Sequence, residues 1–133
     1  MNIDGIVTQL ETVTGLSGKV VVGLPPQTDS LSSGPKCWIT DIAETASPSG
    51  RVNQPSIQKV DCRIGIVTSG ADLTEILPLR DSIRTTLIDY QPETPASGDP
   101  LSYRAGRMEF LDAGYVVWRD EFSYTYYVDL LNT

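Results

Sequence analysis

Histidine is absent from all 133 residues, which excludes Ser-His-Asp and Cys-His relays and the usual mixed Cys and His zinc sites. Cysteine occurs only as Cys37 and Cys62, and two isolated thiols cannot replace the missing ligands. Both lie in strand-like segments, where cysteine acts as a small buried hydrophobe, and without a secretory signal they are expected free rather than paired. Positive charge is also scarce: ten Lys and Arg face 17 Asp and Glu, a net charge of −7. That balance argues against a general nucleic-acid binder, which needs a basic stripe to displace counterions, and mainly confers solubility. No apolar run approaches the roughly 20 residues that span a bilayer, and no charged start leads into an apolar leader. The chain is expected to be soluble and cytoplasmic when made. Gly15-Leu-Ser-Gly-Lys19 has the wrong glycine spacing for a phosphate-binding loop, lacks its Ser or Thr, and runs into a strand.

What is present suffices for a core: 40% of the residues are apolar, so one domain spanning 1–133 is expected without metal or disulfide support. Ile3, Ile6, Val7, Leu10 and Val13 are at helical spacing within residues 2–14, and Gly15 is a natural stop. Lys19 to Gly23 reads as a short buried strand, Lys36 to Ala43 as a second strand, and Ile57 to Thr68 as a third with one wet face. Asp72 starts a second helical region with Glu75 as capping partner and Leu73, Ile76, Leu77, Ile83, Leu87 and Ile88 facing inward. Pro78 is best placed as the first residue of the main helix, the alternative being a helix that begins one turn earlier and contains it. Polar segments rich in Pro, Gly and Ser at about 24–35, 44–55 and 90–100 read as long loops, which are commonly interaction segments.

Leu101 to Leu131 reads as a β-hairpin. Asp112-Ala113-Gly114 fits a three-residue turn that pairs Leu111 with Tyr115, so that Phe110 opposes Val116 and Met108 opposes Trp118. The apolar parity continues through Phe122, Tyr124, Tyr126, Val128 and Leu130 and is broken by Asp120 alone. Asp120 falls opposite Gly106, and a bulge there also brings Tyr103 and Leu101 onto the core face. The order helix, three strands, helix, two strands defines an α+β domain: a mainly antiparallel five-stranded sheet with two helices on one face.

Candidate chemistry is thin. Asp41, Asp61, Glu109 and Asp120 all lie in strands and can meet in pairs, although solvated sheet surface is the simpler role. A buried Asp120 needs a partner, and a structural ion pair with Arg104 is the leading candidate, with Arg107 also in reach. The strip of Trp118, Tyr124 and Tyr126 reads as core rather than as a stacking platform. Tyr115 and Tyr127 have the opposite parity, and with Arg107 and Arg119 they have the composition of interface anchors. Arg51, Arg107, Tyr115 and Arg119 are the candidate subunit-interface residues. No catalytic set, cofactor or metal site is expected.

Leu101-x-Tyr103-x-x-Gly106-Arg107, the Leu111-Asp-Ala-Gly114 turn and Val116-Val-Trp-Arg-Asp-Glu-Phe122 resemble the closing hairpin of tail terminator proteins of tailed bacteriophages, also called tail completion or neck proteins. The helix, strand-rich middle, second helix and hairpin resemble that family across most of the chain. The resemblance implies a structural virion protein of the tail or neck: six copies closing into a ring on the last ring of the tail tube, ending polymerisation and meeting the head connector or stopper. DNA passes through the lumen, and no membrane is involved. Two other readings stay open, another neck, tube or baseplate component and a small-ligand or enzymatic α+β domain. The latter requires a pocket holding Asp120 with a second ionisable group.

Overall fold

A computed structural model describes residues 1–23, 36–48, 57–93, 98–110 and 116–129. In chain order the elements are α1 (Ile3–Leu10), β1 (Val20–Val22), β2 (Cys37–Pro48), β3 (Ile57–Gly70), α2 (Leu73–Leu87), β4 (Ser102–Phe110) and β5 (Val116–Asp129). This is the α+β order expected from the sequence. The five strands form one sheet in the order β1-β2-β3-β5-β4, antiparallel except that β1 runs parallel to β2, so the sheet is mixed.

One face of that sheet is apolar because strand alternation presents Cys37, Ile39, Val60, Cys62, Ile64, Ile66, Phe122 and Tyr124 to the same side. Both helices pack there, supplying Ile6 and Leu10 from α1 and Ile83 and Leu87 from α2. The helix α1 ends at Leu10, earlier than its periodicity suggests, and irregular turns, with Gly15 and Gly18 at positive φ, carry Val13 and Leu16 into the core. The strand β1, expected to be buried, is an edge strand with Val21 and Val22 exposed. A run of three valines matches a buried strand and an edge strand equally well by composition.

The expected cap of α2 is present: Asp72 Oδ1 accepts from the Glu75 amide at 3.0 Å, and Glu75 Oε2 accepts from the Ala71 amide at 3.0 Å. The Ala71 amide, and then Lys36, hold the Glu75 carboxyl below its ordinary value. Pro78 lies inside this helix instead of starting it. The cap and the fully buried Ile76 hold the opening turn in place, and the proline removes only the intrahelical donor to the Thr74 carbonyl. The inward stripe is Ile76, Leu79, Arg80, Ile83 and Leu87, whereas Leu73, Leu77 and Ile88, expected inward, are 38–40% exposed. The two sets follow neighbouring helical stripes, and only packing against β3 and β5 selects between them.

Strand β2 also runs longer than expected, so Glu44 to Pro48 is strand rather than loop. The turn at 111–115, the loop at 24–35 and residues 49–56 lie outside the described residues, as do Arg51 and Tyr115 among the candidate interface residues. The ends of the 90–100 segment are tied to their own chain: the Leu101 amide donates to the Tyr90 carbonyl at 2.8 Å and the Asp99 amide to the Thr125 carbonyl at 2.7 Å.

Both cysteines are free and buried, and burial pushes their thiols up to about 12 for Cys37 and about 11 for Cys62. Neither is therefore expected to react with a thiol reagent at pH 8 in the native protein, and both are expected to react once it is denatured, which a colorimetric thiol titration measures. Ile83→Ala, beneath the middle of α2, is expected to lower the unfolding free energy by about 2–5 kcal/mol in urea titrations.

Candidate functional site

The hairpin register is the one its residue pattern predicts: Phe110 opposes Val116, Met108 opposes Trp118 and Gly106 opposes Asp120. A bulge is also present, at Arg104 rather than at Gly106 where it was expected. Tyr103 pairs with Phe122 and Ala105 with Glu121, which leaves Arg104 as the extra residue and shifts the parity of β4. Leu101 is consequently buried, and Tyr103 packs edge-on against Phe122 at 5.5 Å between ring centroids.

Asp120 is fully buried beneath α2, and its partner is Arg80, not Arg104. The extra residue of a bulge faces away from the ladder, and Arg104 is exposed there, whereas Arg80 occupies an inward position of α2 directly over the carboxylate. Asp120 Oδ1 accepts from Arg80 Nε at 3.0 Å, Tyr103 Oη at 2.9 Å and Trp118 Nε1 at 3.0 Å. Arg80 also donates to the Tyr103 hydroxyl, and its guanidinium lies 4.5 Å from the Trp118 ring centroid. Arg84, one turn on, stacks over Tyr103 at 5.2 Å. Burial and then the hydrogen bond to Asp120 push the Tyr103 hydroxyl up. For Arg80 burial works against the charge, but Asp120 outweighs it and the guanidinium is raised further. Glycine at 106 is the steric condition for this cluster, because a Cβ there would come within 2.6 Å of Tyr103 Oη, Asp120 Oδ1 and Trp118 Nε1. The carboxylate is sealed from solvent and saturated at Oδ1, which makes the arrangement a clasp between helix and hairpin.

Tyr124 and Tyr126 face inward as expected and find carboxylates at the far end of the sheet. Tyr124 Oη donates to Glu93 at 3.0 Å and Tyr126 Oη to Glu44 at 3.4 Å, with the Met1 amino group 3.2 Å from Glu44. Burial, followed by Glu44, pushes the Tyr126 hydroxyl up to about 12.

Among the described residues no helix lies on the opposite face of the sheet, and alternation places charges on it. Asp61, expected as solvated sheet surface, lies there and accepts from Thr125 Oγ1 at 2.6 Å. Arg107 and Arg119, two of the four candidate interface residues, stand directly opposite each other in the register. Like charges at that spacing repel, and Glu109 offsets the repulsion by taking Arg107 Nε at 2.8 Å and Arg119 Nε at 3.3 Å. Arg119 also pairs with Asp41, a residue held at φ 51° in a second bulge, between Thr40 and Ala43. The Glu109 carboxyl is held down because the two arginines outweigh its burial.

Next to this charged row Gly65 on β3 and Ala105 on β4 flank the half-exposed Glu121 on β5, and beyond it stands Arg63, 3.6 Å from Glu121. The two charged rows enclose an open trough of about 390 Å³. Asp120 borders the trough through its backbone only, since its carboxylate is turned to α2 and 1% exposed, so the trough does not present that carboxylate to a ligand. One part of this face is not wet: Trp38, Val67 and Val117 form a second, smaller buried cluster. Val67 and Val117 each continue an apolar run into the second face, a signal in the sequence that alternation alone passes over.

Asp120→Ala, which leaves the Arg80 charge buried without its partner, is expected to cost about 3–5 kcal/mol in urea unfolding. Gly106→Ala is expected to cost about 1–3 kcal/mol by overpacking the clasp, and Arg104→Ala to stay within about 0.5 kcal/mol of the parent. The depressed Glu109 carboxyl contributes stability above its ordinary value of 4.5 that is lost as pH falls through its folded value. Glu109→Gln should therefore cost no more than about 1 kcal/mol at neutral pH, and in thermal melts the difference should shrink progressively as the pH is lowered below 4.5.

Comparison with known proteins gives three findings. The family described as phage tail terminator protein matches residues 27–132. No curated protein matches the chain. Among solved structures, a chain from a virion of a native gene transfer agent particle is similar at 13% identity with a TM-score of 0.57, covering 92% of each chain, a likeness of fold. The family match takes in β2, β3, α2 and the hairpin with its clasp, well over half of the sequence, and this chain therefore belongs to the phage tail terminator protein family.

Proposed function

We propose that this protein acts as a structural ring of the phage tail, in which six copies close on the end of the tail tube, stop its polymerisation and present a surface to the head connector or stopper. The observation that carries this reading is the family match across residues 27–132. The whole chain, 1–133, works as one domain, without catalysis, cofactor or metal. DNA passes through the lumen, and an acidic chain suits such a channel because negative walls do not capture phosphate.

The architecture supports the reading physically. A ring built from one kind of subunit needs two different contact patches on each copy, related by a rotation that closes. The helix layer and the open sheet face are two such surfaces. Arg107 and Arg119 on the open face are interface residues in this reading, and Arg51 and Tyr115 are proposed to join them. The ring works in the virion and assembles in the host cytoplasm.

Light scattering over a concentration series, with negative-stain imaging of the same sample, checks the proposal. A species of about 87 kDa, six times the 14.5 kDa chain, with a ring outline is expected. A monomer at every concentration that also fails to bind purified tail tubes would overturn it.

A further inference from the structure

Two side-chain oxygens in the core have no hydrogen-bond partner among the described residues, Oδ2 of Asp120 and Oγ1 of Thr68. Both residues are fully buried, and a polar group at that depth bears the full cost of its desolvation unless something bonds to it. Thr68 stands beside Cys37 on β2 and two residues from Ile66 on β3, in a setting where packing alone has no use for a hydroxyl.

The strand register brings the two oxygens to one place. Thr68 opposes Trp118 and Ile66 opposes Asp120, so Thr68 and Asp120 are diagonal neighbours on the helix-covered face of β3 and β5. Diagonal neighbours stand about 7–8 Å apart, and two hydrogen bonds of about 2.8 Å in series through one water close the gap that short Asp and Thr side chains leave. The carboxylate is also turned the right way. Its Oδ1 is engaged toward β4, by Tyr103 Oη and Trp118 Nε1, and lies 2.5 Å from where a Cβ on Gly106 would stand. That leaves Oδ2 to the other side of β5, where the neighbouring strand is β3.

Charge selects a neutral occupant. Arg80, 3.0 Å from the carboxylate, already balances Asp120, so a cation at Oδ2 would add positive charge beside a buried guanidinium. A metal ion would also need several more oxygen ligands, and among the described residues no three His, Cys, Asp or Glu side chains are grouped to hold one. A water needs only two to four polar partners, and it can donate to the carboxylate while accepting from the hydroxyl.

We propose that one water molecule is held between Asp120 Oδ2 and Thr68 Oγ1, so that the clasp of helix and hairpin is tied to the central strand β3 as well. The site stands independently of the ring reading. A crystal structure that resolves ordered water tests it, with Thr68→Val and Thr68→Ser as variants that remove and keep the hydroxyl. A water within hydrogen-bond distance of both oxygens is expected in the parent and in Thr68→Ser, and none there in Thr68→Val. In solution, magnetic relaxation dispersion of the solvent is expected to count one long-lived water fewer per chain in Thr68→Val than in the other two. Should Thr68→Val not fold, the parent structure and Thr68→Ser decide. A parent in which Thr68 donates directly to the carboxylate or to a backbone carbonyl, with no water between, would overturn the proposal. So would a water that persists in Thr68→Val, or a peak with a metal-like shell of oxygens that a heavier cation replaces.

Discussion

A single carboxylate holds the two layers of this protein together. Asp120 takes three hydrogen bonds on one oxygen, from the helix through Arg80 and from the hairpin through Tyr103 and Trp118. Its other oxygen, Oδ2, is buried without a hydrogen-bond partner among the described residues, so the clasp adds little net stability, but it is intolerant of other arrangements, because any displacement strands a charge in a place water does not reach. The clasp therefore fixes which face of α2 points inward. It also depends on two features of β4: the bulge at Arg104 that turns Tyr103 inward, and the missing side chain at Gly106 that leaves the cluster its space.

The consequence of that choice lies on the outside of the molecule. With Ile76, Arg80, Ile83 and Leu87 committed to the sheet, the second apolar stripe of α2 must face away from it. The same strand alternation that fills one face of the sheet with Ile, Cys and aromatic groups puts Arg63, Arg107, Arg119 and their carboxylates on the other. The domain thus ends with two unlike surfaces, one carrying the exposed apolar stripe of α2 and one grooved and lined by paired charges. That asymmetry suits a subunit that repeats around an axis better than one that binds a small molecule.

The parts legible in the sequence were those set by local rules. The hairpin register followed from agreement between a turn signal and a period-two pattern, and the lone charge in that pattern marked Asp120, its glycine partner and the bulge. The identity of the ion pair did not follow, because Arg80 lies 40 residues away on another element and nothing along β4 and β5 points to it. Placing Pro78 at a helix start hid the inward phase of α2, and with it both Arg80 and the outward turn of Leu73 and Leu77. Val20 to Val22 read as a buried strand because composition does not distinguish an edge from a centre. Arg107 and Arg119 were recognisable as outward-facing by parity alone, but the trough between them and Arg63 opens because Gly65 on β3 and Ala105 on β4 flank Glu121 on β5, and it is visible only once the strands are aligned.

The proposed ring at the end of a tail is decided by where the protein sits in the particle. Tails assembled with the protein can be imaged by electron cryomicroscopy, with the subunit located by its two-layered outline of helices against an open sheet. One ring at the head-proximal end of the tube, with no copies along its length, is expected. Density for this fold along the tube or at the baseplate, with the head-proximal end occupied by something else, would contradict it.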